Sequence, residues 1–329
     1  MSEKDNSYKP PYEITSVILS LVAEIAELAG RITASQESSV DLCLRRVSRI
    51  KTVHGSLAIE GNTLSEEQIT AILAGKIVIA PQREIVEVKN ALDVYDKLEK
   101  MDSHSEKDLL RAHKTLMLGL IDTAGQYRPG GVGIMGEKEI IHVAPPAQRV
   151  PVLMQDLFLW LKNSDEHFLI KSSIFHYEFE FIHPFGDGNG RIGRLWQTLI
   201  LSDWLPVFLY LPVENMVYRY QTEYYKAINA SSAIGKATPF IEFMLNIILE
   251  TVKTATPQVS PQVTPQVEKL LTVLDGEMTA KELMTKLALK DRKSFRKNYL
   301  IPALTEKLIE MTIPDKPNSR LQKYKKVKN

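Results

Sequence analysis

Apolar positions recur at helical spacing along most of the chain. Residues 13–29 carry Ile14, Val17, Ile18, Leu21, Ile25 and Leu28 on one 3,4-spaced face, with Gly30 placed to end a helix. Val40, Leu42, Leu44, Val47 and Ile50 continue the pattern over 38–53. Ser65-Glu-Glu-Gln68 reads as a capping box ahead of Ile69, Ile72 and Leu73, with Gly75 at the far end. Helices are predicted over 83–100 and 105–120, the second starting at Ser105 and Asp108, and again over 150–163, 167–182, 190–204, 218–229 and 239–254. The period breaks at 125–149. There Gly125, Gly130, Gly131, Gly133 and Gly136 stand among prolines and flank Val132-Gly-Ile134 and Glu139-Ile-Ile-His-Val143, the pattern of a glycine-rich β-hairpin turning near 136–138.

Thr256-Pro-Gln-Val, Ser260-Pro-Gln-Val and Thr264-Pro-Gln-Val267 form a four-residue repeat. Proline at every fourth position blocks helix and favours extended chain, so 255–266 reads as a semi-rigid linker. Composition shifts beyond it. Residues 266–329 hold 15 Lys and Arg against 8 Asp and Glu, a net of +7, and the rest hold 26 against 32, a net of −6. The overall charge of +1 therefore excludes a uniformly basic binder while hiding a basic tail. A single cysteine, Cys43, excludes a disulfide framework and a multi-cysteine zinc site, and its apolar neighbours make it a packing residue. No signal peptide or membrane span is visible, so a soluble, cytoplasmic protein is expected.

The chemistry concentrates in His183-Pro-Phe-Gly-Asp-Gly-Asn-Gly-Arg-Ile-Gly-Arg194. A Gly/Asn-rich loop opening a helix presents backbone N–H groups at the positive end of the dipole, a site for phosphate. Arg191 and Arg194 share one helix face, and guanidinium forks suit phosphate oxygens. Asp187 can offer oxygen to Mg²⁺, and His183 titrates near neutrality and can take a proton from a hydroxyl. Base, metal ligand, anion nest and two arginines describe phosphoryl or nucleotidyl transfer.

These residues resemble the His-x-Phe-x-Asp-Gly-Asn-Gly-Arg-x-x-Arg signature of Fic-domain proteins, and Phe175 to Ile182 resembles the helix preceding it. The resemblance implies an all-α Fic fold with a β-hairpin flap, and transfer of AMP from ATP to a protein Tyr, Thr or Ser hydroxyl with release of pyrophosphate. It makes His183 the base and Asp187 the ligand of Mg²⁺. Gly188, Asn189, Gly190, Arg191 and Arg194 become the phosphate site, and Tyr224 and Tyr225 a contact to the base. The hairpin becomes a flap over the site that aligns the target by strand pairing, and its Val132, Gly133 and Ile134 are grouped with the ATP-binding residues. Ser56-Leu-Ala-Ile-Glu60-Gly61 is similar to the inhibitory segment of one Fic class, whose glutamate pairs with the second signature arginine, here Arg194. Autoinhibition by Glu60 is the expectation.

The domain reading is then 1–104 for a helical region carrying motif 56–61, 105–254 for the catalytic core, 255–266 for the linker and 267–329 for the tail. Val267 to Leu274, Thr279 to Leu287 and Asp291 to Ile301 followed by a turn-rich end resemble a winged helix-turn-helix, with Arg292, Lys293, Arg296 and Lys297 on the third helix. Nucleic-acid contact and protein contact through this tail are both open, as are self-modification and a homodimer. Two other functions stand beside adenylylation: removal of AMP at the same site, and a DNA-binding regulator with a nucleotide-sensing core.

Overall fold

In the computed structural model the chain divides into two compact units, Met1–Thr256 and Pro257–Asn329. The structure describes residues 8–36, 42–131, 133–135, 140–255, 265–289, 291–305, 308–313, 319 and 322–327. Most of the expected linker 255–266 lies outside them, as do Val132, the expected turn near 136–138, residue 139 and the side chain of Cys43.

The first unit is helical: α1 (Ser16–Gln36), α2 (Leu42–Ile59), α3 (Glu66–Leu73), α4 (Gln82–Asp96), α5 (Glu106–Leu116), α6 (Val150–Asn163), α7 (Phe168–Ile182), α8 (Asn189–Trp204), α9 (Val213–Arg219), α10 (Gln221–Ile234) and α11 (Thr238–Ala255). One hairpin interrupts them, with β1 (Gly133–Met135) antiparallel to β2 (Ile140–Val143) and an irregularity between Ile134 and Met135. The helix α7 pairs with α8 at the centre, flanked by α6 and α11. Both α7 and α8 are buried nearly all round, which is why α7 shows no polar stripe even though it carries Ser172, Ser173, His176, Glu178 and Glu180.

Local chemistry sets the helix ends. Ser65 and Gln68 cap α3 reciprocally, and the Ser105 hydroxyl accepts from Asp108 N–H at the start of α5. After α2, Gly61 takes φ +89°, and Asn62 N–H returns to Leu57 C=O at 3.1 Å, a C-terminal arrangement that needs glycine. Two expectations are corrected. Gly30 ends nothing: α1 runs through it to Gln36, and a Cβ there would meet no atom within 4 Å. Of the helix expected over 38–53, residues 38–41 lie outside those described; the described part, from Leu42, continues past 53 to Ile59, so Ser56 lies inside it. A further helix, α9, was not anticipated. It packs on α2 so closely that a Cβ on Gly55 would stand 2.4 Å from Asn215 Cα.

The second unit contains α12 (Pro265–Val273), β3 (Met278–Thr279), α13 (Ala280–Lys286), α14 (Arg292–Phe295), a π turn at Arg296–Leu300, α15 (Ile301–Thr305), β4 (Ile309–Met311) and β5 (Lys323–Lys326). Its strands form an antiparallel sheet of order β3-β5-β4 over a core that includes Leu270, Leu283, Phe295, Leu300, Ile309 and Tyr324. Thr279 and Glu282 cap α13 reciprocally, as the sequence suggests. Arg292, Lys293, Arg296 and Lys297 are exposed. No described helix is long and apolar enough to cross a membrane.

Candidate active site

The signature forms the turn from α7 into α8. His183 caps α7 in the left-handed region at φ 49°, with its N–H donated to Phe179 C=O at 2.9 Å. A non-glycine residue there carries about 1–2 kcal/mol of strain. Strain of this kind persists only where neighbours over-determine the backbone. The loop beyond is closed by Asn189, whose amide accepts from Phe185 N–H and donates to Phe185 C=O, both at 2.9 Å. The buried Asn189 side chain therefore locks the loop and leaves its backbone N–H at the start of α8, the group the sequence reading named for an anion. The N–H groups of Asn189, Gly190 and Arg191 precede the first bond of α8, Ile192 N–H to Gly188 C=O. Gly188 needs glycine for its backbone, and at Gly190 a side chain would press on the Glu60–Arg194 pair. Gly188 has φ +84° and a Cβ there would meet Met117 Sδ at 2.7 Å; at Gly190 it would meet Glu60 Oε1 at 2.5 Å.

His113, on α5, supports the loop from below. Its ring stacks on Phe185 with centroids 3.6 Å apart. Its Nδ1 accepts from Gly125 N–H at 2.8 Å, which leaves Nε2–H to donate to Asp187 C=O at 2.9 Å. Burial pushes its pKa down to about 4, so the ring is neutral near pH 7. Nothing in the sequence marked His113 except a histidine on a helical face of otherwise core-facing spacing.

Two carboxylates from the N-terminal helices meet the two signature arginines. Arg194, 2% exposed, donates from Nη2 to Glu60 Oε1 at 2.7 Å and to Ser56 C=O at 2.9 Å. The bond from its Nε to the Ser56 hydroxyl is longer, 3.4 Å. Burial acts to lower the Arg194 pKa, but the field of Glu60 and its hydrogen bond, with the field of Glu180, outweigh it, and the guanidinium stays firmly charged. Arg191 pairs with Asp187 at 2.8 Å and lies 3.6 Å from Glu87 of α4. Glu87 also accepts from Asn62 at 2.9 Å, so the residue after Gly61 ties the end of α2 to the helix touching Arg191. Arg83 of α4 reaches Asp187 Oδ2 at 3.3 Å. Glu87 and Arg83 escaped the sequence reading, because only the docking of α4 over the loop gives them a role.

Glu180, one turn before His183, is buried. Its Oε2 lies 3.8 Å from His183 Nδ1 and its Oε1 3.9 Å from His176 Nε2. Burial pushes its pKa up to about 7, against the opposing field of Arg194 and with that of Glu60. The Tyr224–Tyr225 pair divides. Tyr224 is 2% exposed and hydrogen-bonds His176 Nε2 at 3.0 Å, so it is a core side chain and not a surface for a nucleotide base. Tyr225, 40% exposed, keeps that option. Gly133 and Ile134 sit in β1, paired with Val143 and His142.

Comparison with known proteins places this geometry. The Fic/DOC family profile matches residues 103–201, and that of the filamentation induced by cAMP protein Fic-like, C-terminal domain, matches 265–326. The crystal structure of a Fic family protein from Desulfovibrio desulfuricans G20 is 50% identical, with a TM-score of 0.74 over 98% of this chain and 99% of that one. The chain belongs to the Fic family. Its curated Fic relatives include protein adenylyltransferase Fic of Aedes aegypti, 28% identical over 66% of this chain and 44% of the relative. Protein adenylyltransferase fic-1 of Caenorhabditis elegans is 29% identical over 70% and 46%. The chain thus spans less than half the length of these curated relatives. The structure of Caenorhabditis elegans Fic-1, 21% identical with a TM-score of 0.59 over 73% of this chain and 72% of that one, shares the Fic fold.

Proposed function

We propose that this Fic protein is an adenylyltransferase that moves AMP from ATP to a hydroxyl of a protein, and that Glu60 holds it back. The observation that carries the reading is the pairing of buried Arg194 with the partly exposed Glu60, beside a loop whose backbone N–H groups open α8. A guanidinium fork next to such a nest suits the terminal phosphates of a nucleotide, and Glu60 occupies it with a carboxylate. In the transfer, His183 takes the proton from the acceptor hydroxyl, the oxygen bonds to the α-phosphorus, and the bond to the β-phosphate breaks to release pyrophosphate. Arg191 and the N–H groups at the start of α8 meet negative charge on the phosphates.

Asp187 fits Mg²⁺ as a single hard ligand. Its carboxylate is 39% exposed, and among the described residues Oδ2 is held by the long contact to the exposed Arg83. Mg²⁺ is commonly held by one or two carboxylates together with phosphates and water, so one carboxylate suits it. Bound there, the ion would neutralise charge on the phosphates. The test is transfer of label from ATP radiolabelled at the α-phosphorus: transfer lost in His183→Ala supports the base assignment, and transfer retained sinks it.

For the second unit, the exposed Arg292, Lys293, Arg296 and Lys297 support contact to a nucleic-acid backbone. Binding of duplex DNA that weakens steeply with salt, and weakens again on charge reversal at Arg296 and Lys297, is the expected result. Salt-independent or absent binding would assign the surface elsewhere.

A further inference from the structure

Arg128 is charged, 4% exposed, and forms no ion pair with any carboxylate among the described residues. Burial lowers its pKa with no compensating charge. Every one of its bonds described goes to a backbone carbonyl, and the carbonyls come from three places. Nε donates to His183 C=O at 2.7 Å, and Nη2 reaches Ile182 C=O at 3.4 Å, both at the C-terminal end of α7. Nη1 donates to Gly130 C=O at 2.7 Å, where the chain enters the hairpin. Nη2 also donates to Pro145 C=O at 2.5 Å, where the chain leaves it. The Arg128 N–H donates to Pro184 C=O at 2.9 Å. A cation at a helix C-terminus is favoured by the dipole, but that is available to any basic side chain. Spanning three segments at once needs the planar fork of five donors that only arginine has.

The segment held at α7 is the strained one, since His183 has φ 49°. We propose that Arg128 is a positioning residue for the transfer reaction: it fastens both legs of the hairpin to the carbonyl of His183, so that the strand offering the acceptor and the base deprotonating it keep one fixed geometry. The inference rests on the adenylyltransferase reading and adds a residue that contacts neither nucleotide nor acceptor. It separates two functions of the site. Phosphate binding is built from α8 and its loop, whereas alignment of the acceptor depends on Arg128.

The experiment compares Arg128→Lys and Arg128→Met in the full chain carrying Glu60→Gly. Hydrogen exchange is followed in peptides covering 133–135 and 140–143 and in peptides of α7 and α8. MgATP affinity is measured by calorimetry, and the rate of self-adenylylation at saturating MgATP by label. Losing a charge-assisted hydrogen bond corresponds to about a tenfold or larger change in a local equilibrium. The expected result is hairpin exchange faster by about tenfold in both variants, unchanged exchange in α8, MgATP affinity within about twofold, and a rate lower by about tenfold or more. Unchanged hairpin exchange in a folded variant would overturn the proposal. So would a rate that falls only in step with MgATP affinity, or loss of folding in the Lys variant as well as the Met variant, since Arg128 would then support the whole unit. If the Glu60→Gly parent transfers no label, the adenylyltransferase reading fails, and the exchange comparison still decides whether Arg128 couples hairpin to base.

Discussion

Replacing Glu60 tests the energetics of inhibition. The bond to be removed is Arg194 Nη2 to Glu60 Oε1, 2.7 Å, between a buried guanidinium and a carboxylate one-third exposed. A charge-assisted bond of this kind contributes about 1.5–3 kcal/mol, and the exposure of Glu60 argues for the lower half of that range. If a nucleotide phosphate must displace Glu60 to bind productively, deleting the carboxylate raises the productive population by roughly ten- to fiftyfold, at about 1.4 kcal/mol per factor of ten. Glu60→Gln keeps an acceptor oxygen without the charge and should recover only part of that gain, because a neutral bond still contributes about 0.5–1.5 kcal/mol. The cost in stability is modest: Arg194 retains Ser56 C=O, and removing a carboxylate from the negative end of α2 returns about 0.3–1 kcal/mol. The assay is label transfer from α-labelled ATP by wild type, Glu60→Gln and Glu60→Gly, with calorimetric MgATP binding alongside. The expected order is wild type, then Gln, then Gly. Equal rates in all three, or Gln exceeding Gly, would refute the reasoning.

Other consequences are local. Gly55→Ala places a Cβ 2.4 Å from Asn215 Cα, which is backbone and cannot rotate away, so α2 and α9 must part. The urea midpoint should fall by an amount equivalent to about 1–3 kcal/mol, and an unchanged midpoint would show that the helix contact is loose. Glu214 is buried, with Oε1 accepting from Thr198 at 2.8 Å and Tyr95 at 3.1 Å, and burial pushes its pKa up to about 7. Because the folded state holds this proton more tightly than the unfolded state, stability falls as pH rises from about 4.5 through about 7. Glu214→Gln should flatten that slope by an amount on the order of 1–3 kcal/mol, leaving the smaller decline due to Glu180; an unaltered slope in thermal melts would contradict it. His113 and His176 act at the acid end. Burial lowers them to about 4 and about 3, so the unfolded state takes up protons first and stability is lost as pH falls below about 6.5.

Where signals were local, the structure was legible in the sequence. The capping boxes at Ser65 and Thr279 stand where the pattern puts them, and the glycine cluster at 125–149 marks a hairpin because its β-prone pieces are bounded by turn residues. The signature loop could be read as an anion site from its glycines and its position before a helix. Helix ends without side-chain caps were harder. Gly30 lies on an open face where its missing side chain costs α1 little, and α9 follows the proline-broken run from Trp204 to Val213, which masks its period. Tyr224 and Tyr225 are adjacent, so helical geometry sends them to different faces and only one reaches solvent. The loop reads as a backbone anion site, but that the Asn189 amide closes it on the backbone of Phe185 carries no sequence signal. Least visible were groups whose partners carry no sequence signal. The acceptors of Arg128 are main-chain carbonyls, and Glu87 meets Arg191 across 104 residues of chain only after α4 has docked.

The central claim is that this Fic protein transfers AMP to protein hydroxyls under restraint from Glu60. Intact-mass and peptide mapping after incubation of the Glu60→Gly chain with MgATP and lysate proteins tests it most directly. The account predicts adducts of one adenylyl group on Tyr, Thr or Ser, scarce with the wild-type chain and absent when His183→Ala is added. No adenylyl adduct in the Glu60→Gly reaction, or equal adducts with and without His183, would contradict it.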